Sequence, residues 1–114
     1  MAAAAIVSLR GGTVQQSLEA AAICLQNILG MECDPVAGLM EVPCITRNAL
    51  GAVNAIMSAD IVSIGVGSVI PLDEVLDAVY ETGRMRPVQC SGTGGLAITA
   101  TSKKLAEEFH KRYG

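Results

Sequence analysis

The sequence CDPVAGLMEVPCITRNALGA, residues 33–52, carries two cysteines, Cys33 and Cys44, at the two ends of a proline-containing segment. Two prolines and a glycine lie between the thiols and forbid a continuous helix there, because proline lacks the N–H that a helix interior needs. We therefore expect a constrained loop whose two ends can turn toward one centre. The small and apolar residues that follow predict a long helix from Cys44 to about Ser63.

The chemistry of this loop follows from its sulfur atoms. Thiolate sulfur is a soft, anionic donor, so the loop suits iron, zinc or an iron–sulfur cluster. Free cysteine is also among the most commonly buried residue types, so Cys33 and Cys44 are equally consistent with two buried apolar thiols. The ten residues between them match neither a CxxC redox pair nor the short zinc-knuckle spacings. The spacing by itself leaves both interpretations open.

Two helices are predicted before the cysteine loop. Residues 1–9 are alanine-rich with no capping residue before them, which is typical of the tail of a helix whose beginning is missing. After a glycine pair, Thr13 and Gln16 predict a capping box for a second helix, which Gly30 ends. Helical spacing predicts one apolar face formed by Leu18, Ala21, Ala22, Leu25 and Leu29. Ile23 lies on the opposite side, so we expect this helix to lack a fully solvated face and to be covered by another part of the protein.

Two more helices are predicted after the cysteine loop and its long helix. Pro71 opens the first of them, since proline suits the first helical turn, and Gly83 ends it before a connector over residues 84–87. Its predicted buried stripe consists of Leu72, Val75, Leu76, Val79 and Tyr80. The last helix covers about residues 101–112, with a threonine or serine cap and basic residues at its end that complement its dipole.

The composition supports one fold class and argues against some partners. The chain is 51% hydrophobic but only 3% aromatic, so its interior must be built from small and aliphatic side chains at close approach. We predict an all-α fold, a compact bundle of four to five helices in one domain over residues 1–114, with a cysteine-bearing loop and a glycine-rich loop. A net charge of −3 gives no basic footprint for nucleic acid. Polar residues interrupt the most apolar stretch, 49–72, which argues against a membrane span. Without an evident secretory signal, we expect a cytoplasmic location and reduced cysteines.

The loop and its surroundings resemble the alpha subunit of the bacterial iron–sulfur-dependent L-serine dehydratases. The resemblance is carried by GMECDPV (30–36), VPCI (42–45), Arg47-Asn48-Ala49, IPLDEV (70–75) and GGLA (94–97). It implies a four-iron, four-sulfur (4Fe-4S) cluster held by three protein cysteines, with one iron left open, and with Cys33 and Cys44 as two of the ligands. The third ligand is then expected upstream of Met1. Cys24 is expected to be a core thiol, and Cys90 does not match the family's ligand pattern.

The same resemblance implies an activity for the intact enzyme, namely elimination of water from L-serine to give pyruvate and ammonia without pyridoxal phosphate. It implies substrate contact by the glycine-rich segment Ser91, Gly92, Thr93, Gly94 and Gly95, whose backbone amides could cradle a carboxylate. Arg47 and Asn48 could bind the same carboxylate or steer hydrogen bonds to the thiolates. No residue is assigned as the catalytic base.

The expected partners follow from the absence of a third matching thiolate. We expect the chain to be the C-terminal part of a catalytic unit, inactive alone, that joins a missing N-terminal part, a beta subunit or both in an oligomer. A cluster-free helical module that docks onto these partners is the main alternative. A zinc-binding structural domain is a third possibility.

Overall fold

The computed structural model describes residues 1–85 and 95–114. These residues contain no strand and form five α-helices and two short 3₁₀ turns, so the all-α prediction is confirmed. The helices are α1 (Ala2–Leu9), α2 (Val14–Gln26), α3 (Cys44–Ser63), α4 (Leu72–Met85) and α5 (Ala100–Tyr113), and the turns are Val36–Gly38 and Gly95–Ile98. Among the described helices, none combines the length and apolar character that a bilayer crossing requires.

The described residues separate into two units. We call residues 1–30 and 50–85 the core unit, and residues 31–49 and 95–114 the loop unit. Helix α3 begins in the loop unit with Cys44 and continues into the core unit. The organisation of the chain as one domain stays a prediction.

The core unit is built on alanine and valine. Its buried cluster is drawn from α1, α2 and α3 and consists of Ala3, Val7, Ala20, Ala55, Ala59 and Val62. Ile6, Ile23 and Cys24 are partly buried and pack against this cluster. Small side chains let helix backbones approach closely, so the unit can exclude water without aromatic residues. The low aromatic content therefore matches the way in which this core is packed.

The start of α2 agrees with the prediction, but its buried face differs. The Thr13 Oγ1 accepts the Gln16 N–H at 3.2 Å, and the Gln16 side chain accepts the Thr13 N–H at 2.9 Å, which completes the capping box. The predicted face was wrong at Leu18 and Leu29, which are exposed. Ile23, on the opposite side, is partly buried against the core cluster, as expected for a helix without a fully solvated face. The residues buried on α2 are Ala20 and Ala22. Close helix approach selects the face with the smallest side chains, and the hydrophobic pattern alone does not reveal it.

Helix α4 begins directly after Pro71, as predicted, but two of its other predicted features were wrong. It continues through Gly83 to Met85, so part of the predicted connector is helical. Glycine ends a helix only where the backbone turns to a positive φ, and Gly83 is not among the residues with one. Of the predicted stripe, Val75 is buried, whereas Leu76, Val79 and Tyr80 are exposed.

Helix α5 closely follows its prediction. Thr99 caps it, since the Thr99 Oγ1 accepts the Ser102 N–H at 3.2 Å. Its last turn carries His110, Lys111 and Arg112, cations that complement the negative end of the helix dipole. In the loop unit, α5 contacts both 3₁₀ turns and so anchors the segments around the cysteines.

Candidate functional site: the cysteine loop

The two predicted ligand cysteines lie in the loop unit, at the two ends of one irregular segment. Cys33 is exposed, and Cys44 is half-buried as the first residue of α3. The segment between them contains only the 3₁₀ turn Val36–Gly38, and the Val36 N–H donates to the Val42 carbonyl at 2.9 Å, which closes the loop. The prediction of a constrained, non-helical segment between the thiols is confirmed.

The 3₁₀ turn is held in an uncommon backbone conformation. Ala37 has φ 54° and ψ 22°, in the left-handed region that residues with a Cβ seldom adopt. Its N–H donates to the Ser102 Oγ at 2.8 Å, and Ser102 is buried at the start of α5. A left-handed alanine persists where surrounding contacts fix it, and this hydrogen bond is such a contact. The shape of the loop therefore depends on α5.

Asp34, next to Cys33, is the polar centre of the loop unit. It is buried, with only 5% of its surface exposed. Its Oδ2 accepts the Leu96 N–H at 2.7 Å, and its Oδ1 pairs with the Nη1 of Arg47. The Leu96 N–H, followed by the Arg47 guanidinium, holds the pKa of the Asp34 carboxyl below its ordinary value, although burial opposes this shift. Asp34 is therefore an anion that two distant parts of the chain share.

The sequence analysis did not assign this central role to Asp34. A carboxylate between a candidate ligand and a proline, with an arginine at the start of the next helix, is the local signal for it. That signal was incomplete, because the second partner, Leu96, lies 62 residues away along the chain. Burial of the carboxylate depends on that distant contact.

Gly95, the last residue of the predicted substrate-binding segment, lies directly against Asp34. Its φ is +55°, and an added Cβ would lie 2.6 Å from the Cβ and 2.7 Å from the Cγ of Asp34. Both the backbone angle and the close approach thus require glycine at this position. The other predicted members of the segment, Ser91, Gly92, Thr93 and Gly94, lie outside the described residues, as does Cys90.

The two helical residues predicted to bind substrate differ in their surroundings. Asn48 is exposed. Arg47 is partly buried, and its Nη1 donates both to the Asp34 carboxylate and to the Glu32 carbonyl, the latter at 2.7 Å. The structure thus brings Arg47, Gly95 and the residues on either side of Cys33 into one polar cluster, while the substrate roles of Arg47 and Asn48 stay predictions.

The donor set fits part of a metal cluster. Within residues 1–85 and 95–114, no three His, Cys, Asp or Glu side chains are gathered in a way that could hold a metal ion. Cys33 and Cys44, on one loop and on the start of one helix, suit two thiolate ligands, so a further ligand has to come from elsewhere. Cys24 belongs to the core unit, where the Asn54 Nδ2 donates to its carbonyl at 2.9 Å and to its Sγ at 3.3 Å. The prediction that Cys24 is a core thiol is confirmed.

A groove of about 690 Å³ runs along the loop unit, between the cysteine segment and the end of α5. Its lining combines apolar and charged side chains. It is lined by Val36, Ala37, Leu39, Glu41, Val42, Leu105, Glu108, Phe109, Lys111, Arg112 and Tyr113. Of the predicted ligand and substrate residues that the structure describes, none is among them.

These features define a class of protein, an all-α chain whose cysteine-bearing loop is tied by a buried carboxylate to the end of a glycine-rich segment. The family model that matches the chain is the serine dehydratase alpha chain, over residues 1–98, and the chain belongs to this family. No solved structure matches it.

Curated relatives from several bacteria are similar over most of the chain. The "probable L-serine dehydratase, alpha chain" of Bacillus subtilis is 54% identical over 111 residues, which are 96% of this chain and 37% of that protein. The "L-serine dehydratase, alpha chain" of Peptoniphilus asaccharolyticus is 48% identical over 113 residues, 97% of this chain and 39% of the relative. A "probable L-serine dehydratase, alpha chain" of Latilactobacillus sakei is 52% identical over 107 residues, 92% and 51% of the two chains. The chain thus spans between about a third and a half of the length of these relatives.

Proposed function

We propose that this chain forms part of an iron–sulfur-dependent L-serine dehydratase, a lyase that eliminates water from L-serine and yields pyruvate and ammonia. Membership of the serine dehydratase alpha chain family supports the reaction class. The observation that carries the proposal within the structure is the cysteine loop, in which Cys33 and Cys44 end a segment that Asp34 and Arg47 hold in place. The proposed cofactor is a 4Fe-4S cluster.

The chain's own residues have distinct tasks in this proposal. Cys33 and Cys44 hold the cluster as thiolates, and Cys44 does so from the first residue of α3. When bound, the cluster supplies a Lewis acid that makes the serine hydroxyl a better leaving group. The amides of Ser91–Gly95 and the side chain of Asn48 bind the substrate carboxylate. The proton on the serine α-carbon needs a base, and this role is left unassigned.

The proposal includes partners, because two thiolates are too few for the cluster. A third thiolate is supplied by a further part of the alpha chain, by a beta subunit or by an oligomer of both. The greater length of the relatives supports such an assembly. A cytoplasmic location belongs to the proposal as well, since a reducing compartment keeps the thiols available as ligands.

Anaerobic reconstitution with iron and sulfide tests this function. The complete assembly is expected to bind iron and sulfide, to show visible iron–sulfur absorption, and to form pyruvate from L-serine. L-threonine, whose dehydration would give 2-oxobutyrate, is assayed in parallel to decide the substrate preference. The 114-residue chain by itself is expected to form no pyruvate. Turnover by this chain alone would contradict the need for a third ligand. Stoichiometric zinc without iron–sulfur absorption would replace the proposed function with that of a zinc-binding structural domain.

A cluster-free interaction module is the second candidate, and the exposed apolar residues of α3 favour it. Val53, Ile56 and Met57 are exposed on α3 and recur at helical spacing, and the exposed Ile64 follows directly after the helix. In this case the chain would bind its partner with the same affinity before and after removal of iron. Size measurement with and without the partner separates the two functions, because a stable monomer that shows no association counts against the module.

A further inference from the structure

One guanidinium connects both neighbours of Cys33 to the helical turn that begins with Cys44. The Nη1 of Arg47 donates to the Glu32 carbonyl at 2.7 Å and to the Asp34 carboxylate. Glu32 and Asp34 precede and follow Cys33, and Arg47 lies three residues after Cys44, within one turn of α3. The backbone around the first thiol is thereby fixed relative to the helix start that carries the second.

The second oxygen of the same carboxylate reaches a third element. The Oδ2 of Asp34 accepts the Leu96 N–H at 2.7 Å, directly after Gly95. Gly95 fits there only because it lacks a Cβ, which would overlap the Asp34 side chain. The glycine-rich segment therefore ends at a position that the neighbour of Cys33 determines.

The burial of this cluster distinguishes it from an ordinary surface ion pair. Exposed ion pairs contribute little, because water screens both charges. Here the Asp34 side chain is 5% exposed and that of Arg47 is 30% exposed, so loss of Arg47 leaves a buried carboxylate without its counter-ion. A simple loop cap would bond to near neighbours, whereas Arg47 and Leu96 lie 13 and 62 residues from Asp34.

We propose that Asp34 and Arg47 are positioning residues that hold the two cluster-binding thiols and the end of the glycine-rich segment in one arrangement. This inference rests on the proposed function and deepens it. In this proposal Arg47 holds the loop around the thiols, and the substrate carboxylate is bound by Asn48 and the glycine-rich segment. Neither residue touches substrate or cluster in this assignment.

The first test uses the full chain without iron. Amide hydrogen exchange over residues 95–98 and the alkylation rate of Cys33 are measured in Asp34→Ala, in Gly95→Ala and in the unmodified protein. Both variants are expected to exchange about tenfold faster or more at Leu96, because a hydrogen bond to a charged group is lost or forced apart. Cys33 alkylation should change in the same variants. Glu41→Gln is the matched control, since it neutralises an exposed acid in the same loop, and it should leave both rates unchanged.

The second test uses the reconstituted assembly. Release of iron to a chelator and the electron paramagnetic resonance spectrum of the reduced cluster are compared among the variants. Asp34→Ala and Arg47→Ala are expected to release iron about 10- to 100-fold faster, the size of effect typical of residues that orient metal ligands. Arg47→Lys, which keeps a positive donor, should recover part of the loss. Glu41→Gln should match the unmodified protein in rate and spectrum.

The outcomes separate this inference from the proposed function. Unchanged exchange at Leu96 in both Asp34→Ala and Gly95→Ala would overturn the inference, and so would faster exchange with unchanged iron release and spectrum. If the unmodified assembly takes up no cluster, the proposed function fails, while exchange and Cys33 alkylation still decide whether Asp34 positions the loop. If circular dichroism shows that Asp34→Ala does not fold, Arg47→Lys and Gly95→Ala decide the result.

Discussion

The core unit is stabilised internally by one kind of contact, and the loop unit is stabilised internally by another. In the core unit, alanine and valine side chains of α1, α2 and α3 pack into a dry cluster. In the loop unit, the buried residues include Asp34 and Ser102, each of which bonds to a backbone N–H of another segment. Apolar packing is not directional, whereas hydrogen bonds to a carboxylate or hydroxyl fix particular atoms. Directional contacts thus occur where ligand atoms would need exact placement.

The core unit is not held by apolar packing alone. The core unit also buries Asn54, whose amide bonds to Cys24 and to Asn27. This network joins α2 to α3 and accompanies an apolar cluster, whereas the Asp34 network connects the cysteine segment to the start of α3 and to the 3₁₀ turn Gly95–Ile98.

The largest effect is expected from the thiols themselves. Cys33→Ser or Cys44→Ser should abolish cluster binding in the reconstituted assembly, because a serine hydroxyl is a poor ligand for iron in such a cluster. Iron and sulfide content and visible absorption measure the loss. Cys24→Ser, in the core unit, is the matched control and should retain the cluster. If all three variants lose the cluster equally, the distinction between the cysteines of the two units is wrong.

Overpacking of the core unit should have the next largest effect. Ala59 is fully buried in α3, so Ala59→Leu should lower the free energy of unfolding by about 3 kcal/mol, near the upper end for small-to-large changes in a packed core. Thermal or urea denaturation measures it. Ala78→Leu makes the same change at an exposed position of α4 and should be nearly neutral, since alanine and leucine have similar helix propensities. Equal effects would mean that close helix approach does not limit this core.

Loss of the Asn54 hydrogen bonds should lower the free energy of unfolding somewhat less than Ala59→Leu does. Asn54 is 4% exposed, and Asn54→Ala removes the partner of the Cys24 carbonyl and of the Asn27 amide. We expect the free energy of unfolding to fall by about 2 kcal/mol, as it does when other buried polar groups lose their hydrogen-bond partner. Asn27→Ala removes only the exposed end of the network and should cost less. A larger loss for Asn54→Ala than for Ala59→Leu would show that polar contacts dominate the core unit too.

The features that the sequence predicted correctly depend on neighbouring residues. Thr13 and Gln16 form a capping box from three-residue spacing alone, and the bounds of α3 follow from the proline before Cys44 and the glycine after Ser63. The buried face of α2 was mispredicted, because it depends on how close α1 and α3 approach.

The same is true of the candidate site, where features set by sequence neighbours were predicted and a feature set by a distant residue was not. The cysteines and Gly95 were identified from local motifs, and the loop between the thiols follows from its prolines. The burial of Asp34 requires Leu96, which joins it only in the folded chain. Sequence reasoning therefore named candidate ligand atoms from local motifs and missed the carboxylate that ties the loop to distant residues.

A smaller effect is expected where the cysteine segment meets α5, within the loop unit. Ser102→Ala removes the acceptor for the Ala37 N–H and should cost about 1 kcal/mol, the usual size for one neutral hydrogen bond. Faster amide exchange at Ala37 would report the loss directly. Thr101→Ala, at the exposed neighbouring position of α5, should leave the Ala37 exchange rate unchanged. An effect of Thr101→Ala as large as that of Ser102→Ala would assign the change to the helix and not to the loop.

The smallest effect is expected from a glycine-to-alanine substitution, made once in each unit. Gly51 lies inside α3 with nothing within 4 Å of an added Cβ, so Gly51→Ala should stabilise the chain by about 0.5 to 1 kcal/mol through helix propensity. Gly95→Ala makes the same change at a positive φ and against Asp34, and it should destabilise the loop unit. Denaturation of the two variants measures whether each substitution raises or lowers the free energy of unfolding. A destabilising Gly51→Ala in the assembly, but not in the isolated chain, would mean that a partner covers this position of α3, since the core unit itself leaves room for the methyl group.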